Sequence, residues 1–488
     1  MKFSHLITMT ALLLGSAHTS LANPSAKQVF ANEKPIVFEN DGQKVDAYEG
    51  TIQVPENRST PNSRSIPLKY VRFPATGKQA GSPIVYLAGG PGGSGILTAK
   101  YPQFRFPLFM ALREFGDVIA LDQRGTGASS TAPECISSQT LPTTTVLTDI
   151  QVETLYKKAA KECVDFWSKQ GVDVLGYTTK ESVRDLNELR KHLKANKITL
   201  WGISYGSHLA LASLKDMEEH IDKVILASAE GLDQTVKYPA RTDAYFDRLQ
   251  QAINQQPNAA RVYPAVKQLI RRVHEQLEKQ PLALSIPQKD GSQLELLFQR
   301  GHMQGLASAM IADPGRSVPM LLSLYQTLDQ GNTDVLIGIL KRGYINDKPI
   351  SFNVMSFAMD IASGITPERL EAVNSQAKTA LLGKALNFPM PQLNEDVEGL
   401  DLGDDFRAFP RSNVPTLLLT GTLDGRTYIQ SQKEATQGLT NLTQVMVVNA
   451  GHNLFMTSPK VTEVIKEFLR GEKLTMTEIQ VELAPFVQ

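Results

Sequence analysis

The sequence predicts an α/β fold: a mostly parallel sheet, covered by helices and interrupted by one helical insertion. Two observations carry this reading. Four short runs rich in β-branched residues end in turn chemistry, "PIVYLAGG", "DVIALDQRG", "KITLWGISYG" and "DKVILASAEG", with amphipathic stretches between them. Apolar strands alternating with such helices form parallel sheets buried on both faces. From about residue 236 to 409 the pattern turns mostly helical, and strand character then returns at "VPTLLLTG" and "TQVMVVNAGH". The expected units are a signal segment over 1–22, a first core part over 23–235, a helical cap over 236–409, and a second core part with a C-terminal tail over 410–488.

The chain opens with "MKFSHLITMTALLLGSAHTSLA", which has one Lys near the start, an apolar stretch from Leu6 to Leu14, and small residues Ser20 and Ala22 around Leu21. This is the pattern of a secretory signal cleaved after Ala22. The apolar stretch is too short to span a bilayer, and no later segment approaches the roughly 18 apolar residues a membrane helix needs. With no Cys near the cleavage site, the expectation is an exported protein, periplasmic or released, without a lipid anchor. Cleavage removes Lys2 alone among 50 basic and 50 acidic residues, so the formal charge becomes −1. Near-neutrality argues against a nucleic-acid partner, because phosphate binding needs concentrated Lys and Arg. A hydrophobic content of 42% is ordinary for a globular protein and suffices for a large core.

Residues 23–65 read as an extended lead-in. The stretch "YLAGGPGGSG", Tyr86 to Gly95, follows a strand and has two readings: a dinucleotide-binding Gly-x-Gly-x-x-Gly turn, or a Gly-Pro-Gly turn forming half of an oxyanion hole. Cys135 and Cys163, the two cysteines, lie 28 residues apart, and export puts them where disulfides persist. A bridge there contributes roughly 3 to 4 kcal/mol by loop-closure arithmetic. Two free buried thiols are the alternative, and a zinc site lacks the other ligands nearby. In "TKESVRDLNELRKHL", Val183, Leu186, Leu189 and Leu193 share a helical face and Thr179 can cap the start. Within the insertion, "ARTDAYFDRLQQAI" and "AVKQLIRRVHEQL" read as helices, and "LALSIPQKDGSQLELLF" as a strand pair turning at Asp290 and Gly291. "LTMTEIQVELAPFVQ" forms the tail.

The chemistry concentrates in three loops. "LWGISYGSH" carries Gly202-x-Ser204-x-Gly206 between a strand and a helical segment. A tight strand-to-helix turn needs small residues two positions either side, and it exposes the serine hydroxyl at a helix N-terminus. The serine needs a base, and the mature chain offers His192, His208, His220, His274, His302 and His452. The first five lie in helix-like segments, where a surface or core role is the simpler reading; His208, four residues after Ser204, points along the helix. His452 in "VMVVNAGHNLF" follows a strand, at the end where open α/β sheets keep their sites. Asp424 in "TLLLTGTLDGRT" follows another strand and can orient the imidazole. The order Ser204, Asp424, His452 is that of α/β-hydrolases.

This decides between the two readings of the glycine loop. Asp122 after the next strand could serve a dinucleotide ribose, 27 residues beyond Gly95. A secreted hydrolase triad has no use for a nicotinamide, however, and Pro91 removes an N–H where donors are wanted. As an oxyanion hole, the loop supplies the N–H of Gly89 or Gly90 beside that of Tyr205.

Together, "GGPGGSG", "DQRGTGAS", "GISYGSHLAL", "GTLDGRT" and "AGHNLF" resemble the proline iminopeptidase and tripeptidyl aminopeptidase family of serine exopeptidases, over most of residues 80 to 470 and weakly in the cap. The resemblance implies an α/β-hydrolase fold, a helical cap over the site, no cofactor and no metal, and removal of short N-terminal peptides or single residues from peptide substrates. It assigns Ser204 as nucleophile, Asp424 as orienting acid and His452 as base. Proline iminopeptidases usually carry His before the Gly-Gly-Pro-Gly turn; Ala88 stands there, which favours the secreted tripeptidyl branch. Such enzymes hold the substrate amine with carboxylates, for which Glu230 in "ILASAEGLD" and Asp360 in "SFAMDIASG" are the candidates. Asp122 and Arg124 are expected to brace loops. An exported carboxylesterase and a catalytically silent binding module are the rival readings.

Overall fold

The computed structural model describes residues 29–487 apart from 41, 79–80, 102–104 and 395–396; the expected signal segment lies outside the described residues. In chain order the strands are β1 Glu33–Asn40, β2 Gln43–Pro55, β3 Ser65–Phe73, β4 Ile84–Leu87, β5 Val118–Leu121, β6 Cys135–Thr140, β7 Ile198–Ser204, β8 Ile221–Ala229, β9 Leu282–Pro287, β10 Gln293–Phe298, β11 Pro349–Phe352, β12 Thr416–Gly421, β13 Leu442–Val448 and β14 Glu478–Gln480. Ten of them form one sheet in the order β1-β2-β3-β5-β4-β7-β8-β12-β13-β14. From β5 to β14 every pairing is parallel, while β1, β2, β3 and β5 pair antiparallel. This is the α/β-hydrolase fold with a large, mostly parallel sheet.

Burial on both faces explains why the central strands read as continuous apolar runs. Val85 and Leu87 of β4 join one core with Leu186, Leu189 and Leu209, whereas Ile84 and Tyr86 join the opposite one with Trp201 and Phe109. Alternation within a single strand thus feeds two helical layers. Both extended ends of the chain extend the sheet. The lead-in supplies β1, β2 and the start of β3, and the tail supplies β14, hydrogen-bonded to β13.

The insertion builds two further cores. One packs helices Pro239–Asn254, Val266–Lys279, Arg300–Met310 and Val318–Asp329 with the β9–β10 hairpin, and takes in Phe486 from the tail. The hairpin turns where Gly291 adopts φ 86°, as the Asp-Gly pair predicts. The second core joins helix Asp149–Lys169 to helix Val354–Ser363 and includes Cys135 and Cys163, which are disulfide-bonded with Cα atoms 5.5 Å apart. Here β6, from before the nucleophile, pairs with β11 from the insertion, Phe352 opposite Cys135. The region above the sheet therefore draws on both halves of the chain.

Helix Thr179–His192 forms over the predicted stretch, but its cap is Thr178, whose Oγ1 accepts from Glu181 N at 3.3 Å. Thr179 is already helical, and its hydroxyl pairs with Tyr205 Oη at 3.2 Å. Within "DQRG", Arg124 is fully buried. Its Nε and Nη2 donate to the two oxygens of Asp185, both at 2.7 Å, and Nη1 donates to the carbonyls of Glu56, at 2.6 Å, and Gly176. Asp122 accepts from Ser94 Oγ at 2.6 Å, Ile96 N at 3.0 Å and Ala128 N at 2.8 Å, which ties the end of the glycine loop to the loop after β5.

Removing one partner of a buried, hydrogen-bonded charge typically costs about 3 to 5 kcal/mol. Arg124→Met, which keeps most of the volume, is expected to lower the urea-unfolding free energy by about 3 kcal/mol. A loss below about 1 kcal/mol would mean that the remaining Arg58–Asp185 pair is sufficient.

Candidate active site

Chain connections leave β4 toward β5 on one side and leave β7 toward β8 on the other, so the crevice between β4 and β7 is the switch point of the sheet. The glycine loop leaves β4 there, and the Gly-x-Ser-x-Gly turn leaves β7. Ser204 sits at φ 55°, ψ −127°, an unfavourable backbone for a side chain, between β7 and helix Tyr205–Asp216. A Cβ on Gly206 would lie 2.0 Å from the Leu87 carbonyl oxygen, and one on Gly202 would lie 2.4 Å from the Gly206 oxygen. Both positions must therefore be glycine. Gly89 lies against the same turn, where a Cβ would be 3.1 Å from Ser204 Cβ. Tyr205 opens the helix, so its N–H has no intrahelical acceptor; its ring is buried, with Oη 2.9 Å from Met359 Sδ.

His452 and Asp424 come together: Nδ1 lies 3.1 Å from each Asp424 oxygen. Asp424 is fully buried and also accepts from Thr427 Oγ1 at 2.6 Å, Thr427 N at 2.9 Å and Arg426 N at 2.7 Å. Burial opposes its charge, yet the His452 imidazole and the Thr427 hydrogen bonds outweigh that and hold the carboxyl below its usual range. The backbone of His452 is fixed as well. Its N–H donates to Ala312 O at 2.9 Å, and Ser228 Oγ donates to its carbonyl at 2.7 Å. Sequence reading did not single out Ser228 or Thr427; Thr427, three residues after Asp424, was the more visible of the two.

Three of the other histidines are structural. His208 is buried, with Nδ1 3.1 Å from Gly231 O and Nε2 3.3 Å from Ser363 Oγ. His274 pairs with Tyr325 Oη at 2.9 Å, and His302 Nδ1 accepts from Gln299 N at 3.2 Å.

Glu230 directly follows β8 and is buried, and Lys237 Nζ lies 2.8 Å from its Oε2. Lys237 also donates to Thr235 O at 2.9 Å. Asp360 sits on helix Val354–Ser363, four residues after Ser356, and so on the same face. Ser356 Oγ lies 3.4 Å from where a Gly92 Cβ would stand, so this helix covers the glycine loop. Burial pushes the Asp360 carboxyl up to about 7; Glu230 adds to the rise and Lys237 opposes it. Glu230, Asp360 and Lys237 thus make one electrostatic cluster beside the turn.

A cavity of about 480 Å³ is lined by Gly89, Gly90, Ser204 and His452. A larger one, about 780 Å³, lies between helices Asp149–Lys169, Arg300–Met310 and Pro367–Ala377, and its lining includes neither Ser204 nor His452. The smaller cavity is the candidate site because it alone of the two joins a hydroxyl on a strained turn to a carboxylate-held imidazole, an arrangement capable of acyl transfer. Among the described residues no group of three or more His, Cys, Asp or Glu side chains could hold a metal ion, and no helix is long and apolar enough to cross a membrane.

Residues 82–292 match the family described as alpha/beta hydrolase fold, and residues 404–480 match the family described as TAP-like protein. The chain is 29% identical over 189 residues to serine protease Hip1 of Mycobacterium tuberculosis, covering 37% of this chain and 35% of that protein. It is 24% identical over 216 residues to the tripeptidyl aminopeptidase of Streptomyces lividans, covering 41% and 40%. The alignments thus span 35% to 40% of these relatives' lengths. Among solved structures, Rv0554 from Mycobacterium tuberculosis aligns over 87% of this chain and 100% of that one, at 16% identity and a TM-score of 0.41.

Because Asp360 titrates near 7 in the folded chain rather than near 3.8, the folded state retains a proton that the unfolded chain releases across that window. The cost of ionising this group in the fold therefore grows as pH rises from about 4 to 7 and is complete above 7. Asp360→Asn should raise the melting temperature more at pH 8 than at pH 5. An equal shift at the two pH values would contradict the raised pKa.

Proposed function

We propose that this chain, which belongs to the TAP-like branch of the α/β hydrolases, is an exported serine aminopeptidase that releases short N-terminal peptides or single residues. The observation that carries the reading is the His452 imidazole, held by Asp424, which shares a cavity with Ser204 on its glycine-flanked turn. In this mechanism His452 Nε2 takes the Ser204 hydroxyl proton while Oγ attacks the scissile carbonyl carbon. The N–H groups of Tyr205 and of Gly89 or Gly90 hold the oxyanion; losing one such donor typically costs about 100- to 1000-fold in turnover. The C–N bond breaks, and the leaving amine takes the proton from His452. Water, deprotonated by the same imidazole, then hydrolyses the acyl ester and restores Ser204. Asp424 keeps the proton-bearing nitrogen of the ring toward itself and stabilises the imidazolium.

The free substrate amine is assigned to the Glu230 and Asp360 carboxylates. With Lys237, the ionised cluster carries one net negative charge, so an arriving ammonium neutralises it and favours the ionised form of Asp360. The helical cap, residues 236–409 in this reading, restricts entry to chain ends. Signal-directed export, with cleavage after Ala22, agrees with the Cys135–Cys163 bridge. One observation favours an exported carboxylesterase as the second reading. Lys237 already pairs with Glu230, and an ester hydrolase makes no demand for a second cation there.

A matched pair of chromogenic peptide amides, one with a free N-terminus and one N-acylated, separates the two readings. The peptidase reading expects cleavage of the free-amine substrate alone, with Ser204→Ala reducing turnover on the order of a million-fold. Glu230→Gln should then raise KM for that substrate about tenfold, the size of a lost charge-assisted contact. Hydrolysis of simple esters with neither amide cleaved would establish the esterase instead.

A further inference from the structure

We propose that the leaving side of the site recognises a carboxylate. On this view the preferred substrates are short peptides whose departing fragment carries a negative charge at its first residue, as the C-terminal carboxylate of a single released residue or as an acidic side chain. The proposal rests on the peptidase reading above and names its substrate class.

The cavity that joins Ser204 to His452 is also lined by Arg105, Arg316 and Arg426, and no acidic side chain lines it among the described residues. Two carboxylates stand behind this wall. Asp424 is committed to His452 and Thr427. Asp313 accepts from Asn453 N at 3.0 Å and Asn453 Nδ2 at 2.7 Å. The lining itself thus presents three guanidinium-bearing side chains and no carboxylate among the described residues. The guanidinium groups of Arg426 and Arg105 are held in place. Arg426 Nη1 donates to Ser308 O at 3.0 Å. Arg105 is buried, stacks over Phe455 at 5.0 Å, and reaches Tyr86 Oη and Asn453 Oδ1, each at 3.4 Å. Arg316 is exposed, with its backbone N–H on Asp313 O. A guanidinium presents a planar fork of donors that matches a carboxylate, and a cleft lined by one sign of charge concentrates its counter-ion.

The side on which this charge lies determines what it reads. His452 must deliver its proton to the leaving amine, so the departing fragment occupies the imidazole's side of Ser204. The arginines share the cavity with His452 and with its neighbour Asn453. Glu230 and Asp360 do not line this cavity; their charge lies under helix Val354–Ser363, beside the start of helix Tyr205–Asp216. Negative protein charge on the acyl side and positive charge on the leaving side suit a substrate with an ammonium at one end and a carboxylate just past the scissile bond.

The test compares kcat/KM for four peptides with the same free-amine acyl part and different leaving residues: alanine acid, alanine amide, aspartate amide and lysine amide. The proposal expects the acid, the aspartate amide or both to exceed the alanine amide at least tenfold, with the lysine amide lowest. Preference for the acid alone identifies the chain-terminal carboxylate as the group read, and preference for the aspartate amide alone identifies the side chain. Arg316→Gln, at an exposed position, and Arg316→Gln combined with Arg426→Gln should lower the acid-to-amide ratio stepwise to within about threefold of unity. High salt should compress the wild-type ratio. Equal cleavage of all four peptides overturns the proposal and leaves the peptidase reading standing. Cleavage of none overturns both.

Discussion

Everything at the candidate site depends on the absence of two side chains. Gly206 faces the Leu87 carbonyl and Gly202 faces the Gly206 carbonyl, at separations no Cβ could occupy. That closeness lets β7 turn into its helix directly beside the end of β4, and it holds Ser204 at positive φ with its hydroxyl facing the crevice. The energetic cost of the turn falls on the surrounding structure, which must hold β4 still. Gln123 Nε2 donates to the Ala88 carbonyl at 3.1 Å, Asp122 fixes the far end of the glycine loop, and Arg124 anchors the same segment to Asp185. "DQRG" thus acts as a brace for a loop one strand away.

The imidazole is held with comparable redundancy, and part of its support comes from the insertion. Ala312 accepts the His452 N–H, and Asp313 accepts from Asn453 on the next residue. A Cβ on Gly425, next to Asp424, would lie 2.0 Å from the Ile311 carbonyl oxygen. The segment between helices Arg300–Met310 and Val318–Asp329 therefore seats directly on the loops that carry the acid and the base. Displacing the insertion would displace the imidazole with it, so substrate access and base positioning share one set of contacts.

What the sequence made legible follows from the range of the interactions involved. The central strands, the hairpin at Gly291 and the three chemical loops announce themselves through local periodicity and turn residues. The pairing of His452 with Asp424 was readable because both follow strands whose neighbours were already assigned. Long-range choices were not readable. Nothing local says that the lead-in adds strands antiparallel to β5, or that Phe486 crosses to the core of the insertion. The cap of helix Thr179–His192 was off by one residue because adjacent threonines are equivalent to a capping rule, and the Tyr205 hydroxyl takes the second. Lys237 was missed for a related reason. A carboxylate at a strand end is a visible signal, whereas a lysine seven residues later reaches back to it only once Asn387 has fixed the chain between them, accepting from Lys237 N at 2.7 Å and donating to its carbonyl at 2.8 Å.

The disulfide has a place in the same geometry. Cys135 begins β6, Cys163 lies in helix Asp149–Lys169, and β6 pairs with β11, which ends at Phe352 immediately before helix Val354–Ser363. Ser356 and Asp360 are on that helix, one turn apart, over the glycine loop and beside Glu230. A 28-residue bridge contributes roughly 3 to 4 kcal/mol by restricting the unfolded chain, yet its position means that it also stiffens the strand pair from which the Asp360 helix departs. The bridge and the seating of the candidate amine-binding carboxylate are therefore connected through one two-stranded ribbon. That ribbon is a sheet of its own, separate from the ten-stranded sheet whose strands lead into Ser204 and Asp424, so the bridge acts on the insertion side of the site.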